Sequence, residues 1–261
     1  MDLVSNYKNY DEAGRMFTSK SKNIEYRTTI HFFDEIIPNK SSVLELGAGG
    51  GIYTEYLAQN KHEILSSDIV QEYVEIIRNR CKDFKNVRVK QIDATKLDEI
   101  GNELFDVILC MGPYYHLQDN QKRTKLLIDS FSLLNDGGIL VLSYINKYFA
   151  LPLYLMYEKK FGQKEYEAFD RNDYKSISYL DGFMEFTYYS KPEDVEIEIN
   201  KVGYKILKHI GVDGIYNLIS GKMEMMNEEE YECFLEYHYK MCTEKSILGN
   251  SSHGLVFCKK E

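Results

Sequence analysis

The residues most suggestive of chemistry lie between Val43 and Gly51, where the chain reads Val-Leu-Glu-Leu-Gly-Ala-Gly-Gly-Gly. Four glycines in five positions remove the Cβ atoms, so the backbone can approach a ligand closely and take positive φ. If an apolar strand leads into this loop and a helix leaves it, the unpaired N–H groups of the helix start face the ligand, along with the positive end of the helix dipole. Two carboxylates follow, Asp68 and Asp93, each at the end of a short apolar run. An ionised carboxylate can accept two hydroxyl hydrogen bonds, and its charge strengthens both. Farther on comes Cys110-Met111-Gly112-Pro113-Tyr114-Tyr115-His116, which offers an imidazole and a phenol beside the same edge. His116 is the candidate base or substrate-orienting group, and Tyr115 can line the same mouth.

The elements that must position these residues alternate. A helix over about Asn23 to Ile37 is stopped by Pro38, and strands follow at Ser42–Leu46, His62–Ser67, Val87–Ile92, Phe105–Cys110 and Ile139–Ile145. Helical stripes separate them: Val70, Val74, Ile77 and Cys81, then Leu127, Phe131 and Leu134. Strand–helix alternation predicts a doubly wound α/β sheet of parallel strands with helices on both faces. Asp68 falls 21 residues after Gly47, one strand–helix–strand unit on, so both reach the carboxyl edge near the switch point.

Beyond Ile145 the pattern loosens. A helix is expected around Phe149 to Lys160, and a hairpin over Ser176–Tyr179 and Phe183–Tyr188. Ser190 is the expected N-cap of a helix carrying Pro192 and Glu193 in its first turn. Strands are expected at Tyr204–Ile210 and Gly254–Lys259, around a helical insertion over 213–245. The division is one domain, 1–261: a helical cap (1–40), a ligand-binding core (41–145), a substrate-side insertion (146–190) and closing strands with their insertion (191–261).

The ligand can be narrowed by what the loop lacks. A dinucleotide fingerprint G-x-G-x-x-G/A counted from Gly47 ends on Ile52, which departs from it. A P-loop needs G-K-[ST], which is absent. The loop instead reads E-x-G-x-G-x-G, with Glu45 leading. Here the sequence resembles the class I S-adenosylmethionine-dependent methyltransferases, over about Val43 to Ile145 and in their order of motifs. The resemblance implies a Rossmann-like, mostly parallel seven-stranded sheet with an antiparallel last strand. It implies that Glu45, Gly47, Ala48, Gly49 and Gly51 surround the methionine part of S-adenosylmethionine. Asp68 would bind the ribose hydroxyls, Ile69 would lie against the adenine face, and Asp93, with Ala94 following at the cofactor, would meet its amino group. Cys110 and Gly112, in the fourth motif, would close the site. The segment Gly-Pro-Tyr-Tyr-His-Leu lacks the Asn/Asp-Pro-Pro-Tyr of enzymes that methylate nucleobase amines, and resembles bacterial methyltransferases of small substrates.

These readings imply methyl transfer to a small-molecule acceptor, with S-adenosylhomocysteine as product and no metal. The N-terminal segment (Tyr7, Tyr10, Arg15) and the 146–190 insertion would cover the substrate. Two rivals stay open: a non-catalytic S-adenosylmethionine sensor, and a nicotinamide-dependent oxidoreductase. Composition agrees with a small acceptor. Of the 261 residues, 41 are acidic and 32 basic, a net charge of -9, which argues against a dedicated nucleic-acid binder. No apolar run reaches membrane-spanning length, and the N-terminus lacks a signal-peptide pattern, so the expected address is the cytoplasm. The five cysteines form no CxxC pair and read as reduced thiols. His238 and Cys242 are two potential ligands without a third, a poor metal site.

Overall fold

The computed structural model describes residues 14–158, 160–174, 177 and 185–261. Tyr7 and Tyr10 lie outside these residues, as does half of the hairpin expected over Ser176–Tyr179 and Phe183–Tyr188; the described part, 177 and 185–188, is not strand. The strands are β1 (Ser42–Leu46), β2 (Glu63–Asp68), β3 (Val87–Gln91), β4 (Phe105–Cys110), β5 (Leu134–Asn146), β6 (Tyr189–Ser190), β7 (Tyr204–Gly211) and β8 (His253–Lys260). They form one sheet in the order β3-β2-β1-β4-β5-β8-β7, and β6 pairs with the end of β5. Only β8 runs against its neighbours, β5 and β7. The two-residue β6 is the strand that takes the count beyond the expected seven.

The helices are α1 (Lys20–Ile36), α2 (Ile52–Gln59), α3 (Gln71–Arg80), α4 (Pro113–His116), α5 (Asn120–Leu133), α6 (Lys147–Tyr157), α7 (Gln163–Arg171), α8 (Pro192–Val202), α9 (Ser220–Met223) and α10 (Glu228–Met241). Both faces of the sheet are buried. Leu44, Ile108, Leu140 and Val256 pack with Leu126 and Ile199 on one side, and Val43, Val107, Val141 and Phe257 pack with Phe32, Phe33 and Leu57 on the other. This is why the central strands β1 and β4 read as apolar runs, while the edge strand β3 alternates and stays half exposed.

Two local expectations change. The N-cap of α8 is Lys191, with no side-chain cap bond, because Ser190 is drawn into β6 opposite Asn146. Pro192 does occupy the first turn. Strand β5 starts at Leu134 rather than Ile139, since Leu134 already pairs with Phe105 and the intervening residues form an irregularity in the register. Asn227 caps α10 in a reciprocal box with Glu230, as the Asn-Glu-Glu-Glu run suggests.

Candidate active site

A cavity runs along the carboxyl edge of the sheet. Its walls take Asp93 beyond β3, Asp68 at the end of β2, Gly47 after β1, Gly112 after β4, Ser143 in β5, and His253 and Leu255 in β8. Because β8 is antiparallel, its first residues lie at the same edge as the last residues of the parallel strands, with His253 opposite Ile145. At about 4.8 Å per strand the trough crosses ~24 Å of sheet. It holds about 1390 Å³, counting the open solvent at its mouth.

The floor is bare backbone. Gly47, Gly49 and Gly51 take φ of 68°, 54° and 73°, the left-handed region that other residues avoid. Ala48 and Gly50 do not, so the E-x-G-x-G-x-G spacing coincides with the backbone requirement. Gly47 also abuts the fourth-motif segment: a Cβ there would stand 2.8 Å from Pro113 Cδ. The two loops meet with no side chain between them, and the resulting cradle suits a ligand chain laid against main chain.

Asp68 is buried and fastens this loop. Its Oδ2 accepts from Gly49 N–H at 2.9 Å and its Oδ1 from Val70 N–H at 2.8 Å. One lone pair on each oxygen is left for a ligand diol. Desolvation raises its pKa, against the pull of those N–H groups. Beside it Ile69 is 44% exposed on the cavity wall, an apolar surface suited to a flat ring. Asp93 forms an Asx-turn, its Oδ1 accepting from Thr95 N–H and hydroxyl at 2.9 and 2.8 Å, and Ala94 lines the wall next to it. Glu45 also reaches the wall, but its Oε2 accepts from the hydroxyls of Thr54 and Ser66. Burial pushes its carboxyl up to about 7. It braces the loop from β1 to α2 and β2.

Two residues expected at the cofactor stand off the cavity. Cys110 points with Ile108 into the opposite core, and the chain turns only after it, so Met111 and Gly112 reach the wall instead. Gly51 serves as the left-handed N-cap of α2, where a Cβ would meet Ile77 Cγ1 at 3.1 Å.

Tyr115 and His116 line the far wall. The Tyr115 hydroxyl donates to Met111 O at 3.3 Å. His116 Nδ1 lies 3.1 Å from Phe186 O; a carbonyl can only accept, so Nδ1 carries the hydrogen. Burial pushes the imidazole down to about 4, leaving it neutral at physiological pH. A group of that pKa is a weak base, better suited to hydrogen bonding than to removing a proton. Arg123 holds this wall from behind. Its guanidinium donates to Leu117 O at 2.8 Å and Gln118 O at 3.1 Å and lies 3.6 Å from the centre of the Tyr188 ring. Tyr188 N–H in turn donates to Tyr115 O at 2.7 Å. The described residues of 146–190 put no side chain on the cavity wall; they buttress it rather than cover it.

The end of the trough beyond β5 holds Arg15, expected over the substrate, together with charges that the sequence did not reveal as a site. Arg15 and Glu25 pair through two bonds of 2.8 and 3.0 Å. His253 Nδ1 lies 2.9 Å from Asp213 Oδ2. Arg15, Glu25 and His253 line the cavity. The signal was available in the antiparallel last strand, which brings its first residue to the carboxyl edge beside the end of β7. Elsewhere, His238 Nε2 meets Val212 O at 3.0 Å and Cys242 is fully buried; both belong to the core. Among the described residues no group of three or more His, Cys, Asp or Glu is placed to hold a metal ion, and no helix is long and apolar enough to cross a membrane.

With this geometry in place, the comparisons are specific. Residues 43–138 match the family model described as a methyltransferase domain. Over this stretch the chain is similar to the class I, S-adenosylmethionine-dependent methyltransferases. The domain contains the glycine loop, both aspartates and the α4 segment. A ubiquinone biosynthesis O-methyltransferase of Coxiella burnetii is 29% identical over 157 residues, 59% of this chain and 62% of the relative. The chain thus spans about three fifths of the length of that relative. The N-methyltransferase NodS of Bradyrhizobium japonicum, solved with S-adenosylhomocysteine, shares the fold. It aligns over 98% of this chain and 96% of its own at a TM-score of 0.61 and 13% identity. The [4+2]-cyclase SpnF also shares the fold, over 90% of this chain and 80% of its own, with a TM-score of 0.55 and 14% identity.

Proposed function

We propose that the chain transfers the methyl group of S-adenosylmethionine to a small, partly apolar acceptor bound at the β5–β8 end of the trough. One observation carries this reading: a side-chain-free glycine cradle continues directly into an aromatic and charged chamber within the same cavity. When bound, the cofactor supplies a methyl group already activated on a sulfonium. The protein's task is then alignment of acceptor, methyl and sulfur and exclusion of water, which can be worth up to roughly 7–11 kcal/mol. Asp68 would take the ribose hydroxyls, Ile69 and Ala94 the adenine faces, and Asp93 its amino group. The main chain of Gly47, Ala48, Gly49 and Gly112 would lie along the methionine part. Glu45 and Gly51 hold the loop's shape. His116 and Tyr115 would form the wall beside the transferred methyl, with His116 as a neutral hydrogen-bonding group.

The cyclase among the structural neighbours gives a second reading its footing, since it shows that this fold accompanies other chemistry. Titration calorimetry tests the cofactor first, against the nicotinamide-dependent rival. S-adenosylmethionine and S-adenosylhomocysteine should both bind with micromolar affinity, about -8 kcal/mol, while NAD should give no heat. Binding of NAD without a response to S-adenosylmethionine would refute the proposal.

A further inference from the structure

The acceptor end of the trough suggests what kind of molecule it takes, an inference that rests on the methyl-transfer reading above. Arg15 comes from the N-terminal segment, Glu25 from α1, Asp213 from the turn after β7, and His253 from the start of β8. Asp213 is 2% exposed and saturated by its neighbours. Its Oδ1 accepts from His253 N–H at 2.9 Å and from the Ser251 hydroxyl at 2.6 Å. Its Oδ2 accepts from His253 Nδ1 at 2.9 Å and Asn217 Nδ2 at 3.3 Å. Glu25 Oε2 lies 4.0 Å from the same Nδ1.

Charges withdrawn from water cost several kcal/mol each, so their concentration on the wall of a ligand cavity points to use. The two carboxylates hold the imidazole charged, raising its pKa to about 9 against burial and the opposing Arg15. Nδ1 is spent on Asp213. Nε2 is the ring nitrogen left to the cavity that His253 lines, and among the described residues nothing hydrogen-bonds it. An imidazolium N–H can only donate, and it does so best to an anionic oxygen. The neighbouring walls of Met16, Tyr53, Val212 and Leu255 suit a ring or an alkyl body.

We propose that His253, clamped by Asp213 and Glu25, is the residue that recognises the acceptor, its Nε2–H binding an anionic oxygen (carboxylate or phenolate) on a small apolar or aromatic molecule. His253 stands three strands from the glycine loop, about 14 Å across the sheet. That separation places it beyond the cofactor and toward the acceptor.

The test uses the full chain saturated with S-adenosylhomocysteine, followed by histidine side-chain NMR. The ring of interest is the one still protonated above about pH 8. Benzoate and 4-nitrophenolate are the probes, with benzyl alcohol as the neutral control. The proposal expects at least one anionic probe to shift the Nε2 signal of that ring, and H253Q to weaken the probe by about tenfold or more. The cofactor product should still bind the variant within about twofold. A response to benzoate alone assigns a carboxylate; a response to 4-nitrophenolate alone assigns a phenolate. Anionic probes that bind no better than benzyl alcohol, or that leave the ring unmoved, overturn the proposal even if H253Q fails to fold. Failure of S-adenosylhomocysteine to bind, seen before any probe is added, overturns the underlying reading instead.

Discussion

Asp68 and His253 mark the two ends of one trough, and each is defined by what already holds it. Asp68 spends one lone pair of each oxygen on the backbone, so removing its charge weakens both the loop and the ligand diol. Hydrogen bonds to charged groups are worth about 1.5–3 kcal/mol. D68N should therefore weaken S-adenosylmethionine binding by about tenfold to a hundredfold, read by calorimetry; unchanged affinity would remove Asp68 from the cofactor site. His253 makes a different prediction. Folding raises its pKa from 6.5 to about 9, so over that interval the folded chain keeps a proton that the unfolded chain has released. Its stabilisation is complete below about pH 6.5 and disappears as the pH rises through 9. Urea-unfolding midpoints should fall across this window, and H253Q should flatten the slope; a wild-type curve as flat as the variant's would contradict the clamp. The glycines and both aspartates were legible in the sequence because spacing alone carries their meaning. Glu25, Asp213 and His253 were not, because they lie far apart in the chain and meet only once β8 inserts between β5 and β7.

At the scale of elements, β8 is the piece that completes the site, and Gly254 is its most constrained position. Gly254 pairs with Tyr144, whose ring lies across the space a Cβ would fill. The Tyr144 hydroxyl is in turn tied to His209 Nε2 at 2.9 Å, so the ring cannot step aside freely. G254A should cost about 1–3 kcal/mol by overpacking, measured as a drop in unfolding free energy, and should loosen His253 next to it. No measurable loss would show that Tyr144 can relocate. The sequence disclosed the strand but not this contact, since a glycine inside a strand gives no sign of what fills its place. Local signals misled at Ser190 for a related reason: a good N-cap residue was recruited by β6, and tertiary pairing outweighed the capping preference. The central strands were legible because β1 and β4 are buried on both faces and read as apolar runs. The 146–190 segment carries no such constraint, and its role as a buttress for the His116 wall emerges only from Arg123 and Tyr188.

For the molecule as a whole, the net charge of -9 fits a small ligand better than a polyanion. The cofactor half of the trough follows from one contiguous stretch, 43–138, whereas the acceptor half is assembled from both ends of the chain. That division explains why the sequence pointed to a cofactor and left the acceptor open. The most direct test is incubation of the full chain with methyl-labelled S-adenosylmethionine and a fractionated small-metabolite pool. The account predicts label in a small molecule bearing an anionic oxygen, with loss of transfer in D68N. Tight cofactor binding with no label leaving S-adenosylmethionine, across pools that include such acids and phenols, would contradict it.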